Sequence, residues 1–459
     1  MLWSRLFLGK GDLYVKTLLE RAKGSALEII TECNIPIGTI TRLSPYARQI
    51  RDIQLLNSYW GDIKAFSEIN SGPLPLLHTL EINSYGSDST RGAMAPLSSP
   101  LFGGALNLER LVLNLDMHQC LNHFVFPNLT TFELLIQFND TFDISDLLSF
   151  LKTSPLLRSV NLNIAAATGL ESVPRGVVVV LPNVETFSLL VRDDRALGVY
   201  DIALHISCPC AKRTSLTIAV DGDHMNEGMG VFPTSAPCNT IVHQYTTNPI
   251  EEITLKTGYN RYGLATYSLV FRPSDATVIT LALEITGDEI YEGVGMSSDD
   301  TDSEVFYQAF RTIRGDPLLR HVKRLHIKYD APVLSDETEE IGDEVGRAFQ
   351  SVGPLDELTI DGCDLRIFLG GLDPLGPDNA EKPVVFPPIK ALTVSQSLEM
   401  YYDEEWVDAI VELVQSRHRL GIPFERVTVR AVALPVDLKE RLEEWVREVY
   451  LELTTVGGL

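Results

Sequence analysis

Phe126 to Ile136 reads FPNLTTFELLI. Ser154 to Ile164, SPLLRSVNLNI, and Leu181 to Val191, LPNVETFSLLV, keep its apolar positions and little else. The shared skeleton is a triplet spaced φ-x-x-φ-x-φ, where φ is apolar. Its other copies are Ile50/Ile53/Leu55, Leu77/Leu80/Ile82, Leu108/Leu111/Leu113, Ile250/Ile253/Leu255, Val278/Leu281/Leu283, Val322/Leu325/Ile327, Leu355/Leu358/Ile360, Ile389/Leu392/Val394 and Phe424/Val427/Val429. A weaker copy, Leu216/Ile218, has Arg213 where the first apolar residue belongs. One such match means nothing in an α/β protein. A dozen, often behind a proline turn (LPLL, FPNL, SPLL, LPNV, GPLD, FPPI), describe a repeat.

The last two apolar residues of each triplet are two apart, so they share one face of a short strand. The first lies on the incoming turn. The residue between them (Glu133, Asn161, Ser188, Thr254, Thr359, Thr393, Thr428) is expected to face solvent. A single unit cannot bury its own apolar face, whereas stacked units can. Helical periodicity occupies several intervals: Asp143 to Ser154, Ser303 to Gly315, and Asp403 to Gly421. In the last of these Trp406, Ile410, Leu413 and Val414 share a face, and Gly421 is placed to cap it.

The expected fold class is therefore α/β, a leucine-rich-repeat-like solenoid. Parallel strands line the concave face and helices lie outside, in irregular repeats spaced from about 21 to about 44 residues. Residues 1–32 read as an N-terminal capping segment, 33–434 as the repeats, and 435–459 as a C-terminal capping helix, with the amphipathic pattern running from Pro435 to Leu453. Segments Ser84 to Gly104, Asp221 to Asn239 and Gly370 to Pro383 read as loops. The acidic run Ser297 to Glu304 reads as a solvated loop, with Ser303 as a helix N-cap.

The net charge is −24, from 62 acidic and 38 basic residues. Such a chain repels phosphate backbones, so no nucleic acid is expected. No apolar run reaches the roughly 18 residues of a membrane span, so no membrane is expected. No secretory signal is evident, and a cytoplasmic or nuclear location follows. The six cysteines are then expected to be reduced thiols. Cys363 completes the fullest repeat, LDELTIDGCDL, and reads as a buried turn residue. The sequons at Asn128 and Asn139 read as chance matches.

No nucleotide-binding, nucleophile-elbow or zincin motif appears. His205, Cys208 and Cys210, with Cys238 and His243 downstream, are the nearest approach to a metal site. Their Cys-x-Cys spacing, stiffened by Pro209, is not that of a finger. Asp223, His224 and Glu227 lie in a glycine-rich loop, and the acidic groups at Asp403 to Glu405 and Glu443/Glu444 lie at helix starts or outer faces. Neither a catalytic constellation nor a cofactor is expected. What remains is a surface. The outward positions of successive strands, Glu81, Asn83, Asn114, Glu133, Asn161 and Asn163, then Lys256, Glu284, His326, Lys328, Asp361 and Arg430, either bind a protein ligand or are solvated strand faces.

The N-terminus carries a resemblance. Leu2-Trp3-Ser4, Leu18-Leu19-Glu20-Arg21-Ala22 and Leu27-Glu28-Ile29, followed by the P-x-L-x-x-L-x-L phrasing, resemble the region just past the F-box in basidiomycete fungal F-box proteins. That resemblance implies a substrate-recognition subunit of an SCF-type ubiquitin ligase, in which the F-box binds a Skp-type adaptor and the repeats bind the target. The F-box with its L-P-x-E opening is not in this sequence. Truncation and loss of adaptor binding both remain open, as does a stand-alone leucine-rich-repeat scaffold without a ubiquitin role. Trp3 could also pack against the first repeat.

Overall fold

The computed structural model describes residues 5–8, 12–22, 24–32, 37–58, 63, 66–67, 74–84, 105–115, 121, 124–136, 142–164, 167–168, 178–192, 202–221, 238–259, 265–275, 277–286, 317–329, 347, 349, 352–362, 365–374, 387–396 and 405–454. The chain is α/β, its strands are mostly parallel and its helices few. It divides into two compact units, Met1–Leu216 and Thr217–Leu459. No described helix is long and apolar enough to cross a membrane.

The first unit is built of short strands. They are β1 (Arg5–Phe7), β2 (Leu27–Glu32), β3 (Ile50–Ser58), β4 (Thr79–Ser84), β5 (Arg110–Leu115), β6 (Thr131–Ile136), β7 (Phe142–Asp143), β8 (Ser159–Ile164), β9 (Ala167–Thr168), β10 (Val179–Val180), β11 (Thr186–Arg192), β12 (Ile206–Ser207) and the first residues of β13 (Arg213–Asp221), which continues past Leu216. The long ladder runs β1-β2-β3-β4-β5-β6-β8-β11, every pair parallel. Parallel neighbours need a crossover between them. Helices α1 (Asp12–Ala22), α2 (Ile37–Leu43) and α3 (Ile144–Lys152) supply some of these.

The register superposes the apolar triplets. Leu80, Leu111, Phe132, Val160 and Phe187 stand side by side, as do Ile82, Leu113, Leu134, Leu162 and Leu189. All are buried. The first residue of each triplet closes a turn. Leu77, Leu129 and Val184 donate their N–H to Leu74, Phe126 and Leu181 at 3.1, 3.2 and 3.4 Å. Pro75, Pro127 and Pro182 sit at the second turn position, where a φ near −65° is already set. The asparagine of the phrase has its own role. Asn107, Asn128 and Asn183 donate their side-chain amides to the carbonyls of Pro75, Leu106 and Pro155 in the preceding turn, at 2.5, 2.6 and 3.0 Å. The Asn128 sequon is therefore a structural rung.

The same hydrogen bonds re-frame the weak copy. Lys212 and Arg213 donate to the Glu185 carbonyl as Glu185 and Thr186 donate to that of Arg158. The triplet is Ala211/Thr214/Leu216, two residues earlier than the Arg213 frame, and all three are buried. Ala211 and Thr214 are too weakly apolar to show it in sequence.

In the second unit β14 (Ile250–Tyr259), β15 (Ala265–Pro273) and β16 (Val278–Thr286) are antiparallel neighbours. From β14 a parallel ladder continues through β17 (Arg324–Tyr329), β18 (Leu355–Gly362), β19 (Ile389–Gln396), β20 (Arg426–Ala431) and β21 (Glu448–Leu453). Ile253, Leu325, Leu358, Leu392, Val427 and Val449 form one buried column. The match at Val278/Leu281/Leu283 lies on β16, which runs antiparallel to β15. Alternation puts Leu281 and Ile279 in the core whichever way the strand runs.

The helices here are α4 (Cys238–His243), α5 (Leu365–Leu372), α6 (Glu405–Arg419) and α7 (Leu438–Glu443). In α6 the shared face of Trp406, Ile410, Leu413 and Val414 is buried. Gly421 has φ +77 and ends the helix, with the N–H of Ile422 bonded to the Arg417 carbonyl at 3.0 Å. Two expectations change. The pattern from Pro435 to Leu453 is not one helix: α7 stops at Glu443, and EVYLEL extends as β21 beside β20. Its period-two pattern, with Val449 inward, completes the ladder's bonding beyond β20. Gly370 lies within α5 rather than opening a loop, since Phe368, Leu369 and Leu372 hold that turn in the core. The helix from Ser303 to Gly315, Ser303 as N-cap, the run Ser297 to Glu304, Cys363, Asn139, Asp223, His224, Glu227 and most of the three loop segments lie outside the described residues.

Arg417 is a cation in this core. It is 0% exposed, its Nη2 donates to the Pro387 carbonyl at 2.8 Å, and its guanidinium lies 4.8 Å over the Phe424 ring. Burial pushes its pKa down to about 10. Nε and Nη1 have no acceptor among the described residues. A buried charge without a counter-charge is costlier than an apolar side chain of similar length. Arg417→Met is expected to stabilise the second unit by about 1–3 kcal/mol in urea unfolding. Arg417→Ala, which leaves a void, is expected to destabilise it.

Candidate functional site

Apolar residues at alternate positions turn inward, so the intervening ones emerge on the opposite face. On β4, β5, β6 and β8 two rows result. Glu81, Val112, Glu133 and Asn161 stand abreast, and so do Asn83, Asn114, Leu135 and Asn163. Together they line an open depression of about 250 Å³. Four strands at their usual spacing span about 14 Å. All the candidate positions from the first unit meet here. Val112 and Leu135 join them although they are apolar, and they form the middle of the floor. Aligning the triplets puts Val112 at the place of Glu81 and Glu133, which is the signal that reveals it.

The polar groups of the depression are unevenly satisfied. Arg110 donates to Glu133 at 2.7 Å and neutralises it. Among the described residues Glu81 has no ion pair. Among the described residues Asn83 Oδ1 and Asn163 Oδ1 are buried and accept no hydrogen bond. A buried acceptor without a donor costs about 1–3 kcal/mol. The depression therefore sets an apolar centre among polar side chains that are incompletely satisfied among the described residues.

The candidates of the second unit are arranged differently. Lys256, Lys328, Asp361 and Arg430 occupy one row, and Ser395 stands between the last two. His326 belongs to the neighbouring row with Thr254, Thr359, Thr393 and Thr428. Glu284, on antiparallel β16 opposite Thr266, joins neither. Thr254, Thr393 and Thr428 are buried rather than solvated. Arg272 donates to Thr254 at 2.9 Å. Burial pushes the His326 imidazole below its usual pKa, against the opposing pull of Asp361 and Glu252. Several of the surrounding charges are paired: Arg430 with Glu452 at 2.7 Å, Arg324 with Glu252 at 3.1 Å, and Arg272 with Glu252 as well.

Cys208 and Cys210 point apart. Cys208 takes the place of Leu181 in its turn and is 0% exposed, whereas Cys210 is exposed. Burial raises the Cys208 thiol pKa well above its ordinary value. Among the described residues no group of three His, Cys, Asp or Glu could hold a metal ion. Rapid alkylation under native conditions is expected at Cys210 and not at Cys208. Peptide mass spectrometry checks this, and fast labelling of Cys208 would contradict its burial.

No protein-family model matches the chain, and no curated protein matches it significantly.

Proposed function

We propose that the chain is a leucine-rich-repeat-like solenoid that binds a protein and performs no chemistry of its own. The observation that carries this reading is the depression on β4, β5, β6 and β8, where Glu81 without a cation and Asn83 and Asn163 with oxygens lacking donors, among the described residues, flank an apolar floor. The shape is shallow and extended across strands, as a segment of polypeptide requires. The likeness of the N-terminal residues to basidiomycete F-box proteins supports a more specific role, substrate recognition for an SCF-type ubiquitin ligase in the cytoplasm or nucleus. α1 holds Leu18, Leu19 and Ala22 in the core, and β2 does the same for Leu27 and Ile29. Leu2-Trp3-Ser4 lies outside the described residues.

Two experiments test the two levels. Linear peptides selected from a display library on the full chain are expected to lose binding when Val112→Arg fills the depression. If no selected peptide depends on Val112, this face is not the binding site. Expressed with whatever in-frame coding sequence the gene supplies, the protein is expected to co-purify with a Skp-type adaptor. No binding there removes the ubiquitin role and leaves the stand-alone scaffold.

A further inference from the structure

We infer that the depression of the first unit takes an extended basic segment of its partner. The segment carries a lysine or arginine at one position, an apolar residue two positions on, and a hydrogen-bond donor four positions on. The inference rests on the protein-binding reading and specifies the chemistry of the bound segment.

Three observations lead there. First, every unmet polar atom identified in the depression is an acceptor. The Glu81 carboxylate has no cation among the described residues, and Asn83 Oδ1 and Asn163 Oδ1, themselves shut off from solvent, have no donor there either, so each amide gains by turning its oxygen toward a donor in the depression. An acidic or acceptor-rich partner would add repulsion and leave all of them unmet; a donor satisfies them. Second, charge is placed at one end. Glu81 and Asn83 are two apart on the outward side of β4, within reach of one ammonium or guanidinium group, whereas Arg110 already occupies Glu133. Third, the spacing fits an extended chain laid across the strands. Same-side residues of such a chain recur every ~6.7 Å, so its positions i and i+4 are about 13 Å apart. The distance from β4 to β8 is about 14 Å across three strand spacings. The middle residue then lies over Val112 and Leu135, which stand on β5 and β6. The chain's own net charge of −24 favours the approach of such a segment from solution.

The probe is a fluorescein-labelled peptide GSKSLSKSG, followed by anisotropy on the full chain at near-physiological salt. Glu81→Gln is expected to weaken binding about tenfold or more, and Asn163→Leu to weaken it severalfold. Glu448→Gln on β21 removes the same charge elsewhere and is expected to leave binding unchanged. The peptide GSESLSESG is expected not to bind. GLKKSSSSG has the same composition but places leucine two positions after neither lysine, and is expected to bind more weakly. Equal loss in the Glu81→Gln and Glu448→Gln proteins, or equal binding of the two lysine peptides, would reduce the effect to bulk charge and overturn the inference. Circular dichroism of the variants excludes unfolding as the cause. The library selection separates this inference from the reading beneath it. Val112-dependent peptides that lack basic residues overturn the basic segment and keep the binding face. No Val112-dependent peptide at all removes both.

Discussion

Gly353→Ala is expected to destabilise the second unit by at least about 3 kcal/mol. A methyl group built on Gly353 falls onto the carbonyl oxygen of Arg320, with the Arg320 backbone carbon at 2.9 Å. The usual cost of overfilling a core is ~1–3 kcal/mol, because side chains can rotate or shift. Here both parties are backbone, and neither has a rotamer to change. The turn cannot simply back away, since the Gly353 N–H donates to the Leu319 carbonyl at 3.0 Å. Leu319 and Val322 are themselves core residues. Glycine is required here for close approach rather than for a left-handed conformation. Urea unfolding monitored by hydrogen exchange of β17 and β18 measures the loss. Wild-type protection in Gly353→Ala would show that the two turns are not in contact in solution.

Phe132→Ala in the first unit is expected to cost about 3–5 kcal/mol. Phe132 is fully buried and stands between Leu111 and Val160 in the ladder. Its ring meets Phe150 of α3 with centroids 4.6 Å apart and planes inclined at 48°. Truncation removes the wall that two neighbouring strands and one helix share. A double-mutant cycle with Phe150→Ala is expected to show a coupling of about 0.5–1.5 kcal/mol, beyond what burial of each ring supplies. Additive losses would place the rings out of contact. Phe132→Leu, which keeps most of the volume, is expected to lose far less.

The apolar positions of the ladder were legible in the sequence to a high degree. Leu77/Leu80/Ile82 through Val184/Phe187/Leu189 superpose residue for residue in the parallel register. Arg417 was also legible in principle. It lies seven residues after Ile410 and four after Leu413, on the face of α6 that the periodicity marks as buried. A charge on that face is the signal of a buried cation. The end of the chain reads as helix in the sequence because WVREVYLEL fits both periods. Its charged residues suit the outer face of a helix, and its alternation suits an edge strand. The free edge of β20 decided between them, since an unpaired strand edge leaves backbone donors and acceptors open.

The candidate site was half legible. Glu81, Asn83, Asn114, Glu133, Asn161 and Asn163 follow from alternation alone, because a strand turns its residues to opposite faces wherever it sits. That rule is local, and so is the proline turn that opens each repeat. Whether neighbouring strands run parallel or antiparallel is not local. An alternating segment buries the same residues in either direction, so β16 read like its neighbours although it runs against β15. Nor does alternation say which outward residues come abreast. Register across separate strands seats Val112 between Glu81 and Glu133, and Leu135 between Asn114 and Asn163. Among the described residues register also leaves the oxygens of Asn83 and Asn163 without donors. The chain's sequence set which residues face outward, since that depends on each strand alone; the packing of strand on strand made a binding surface of them, since that depends on residues distant in the chain.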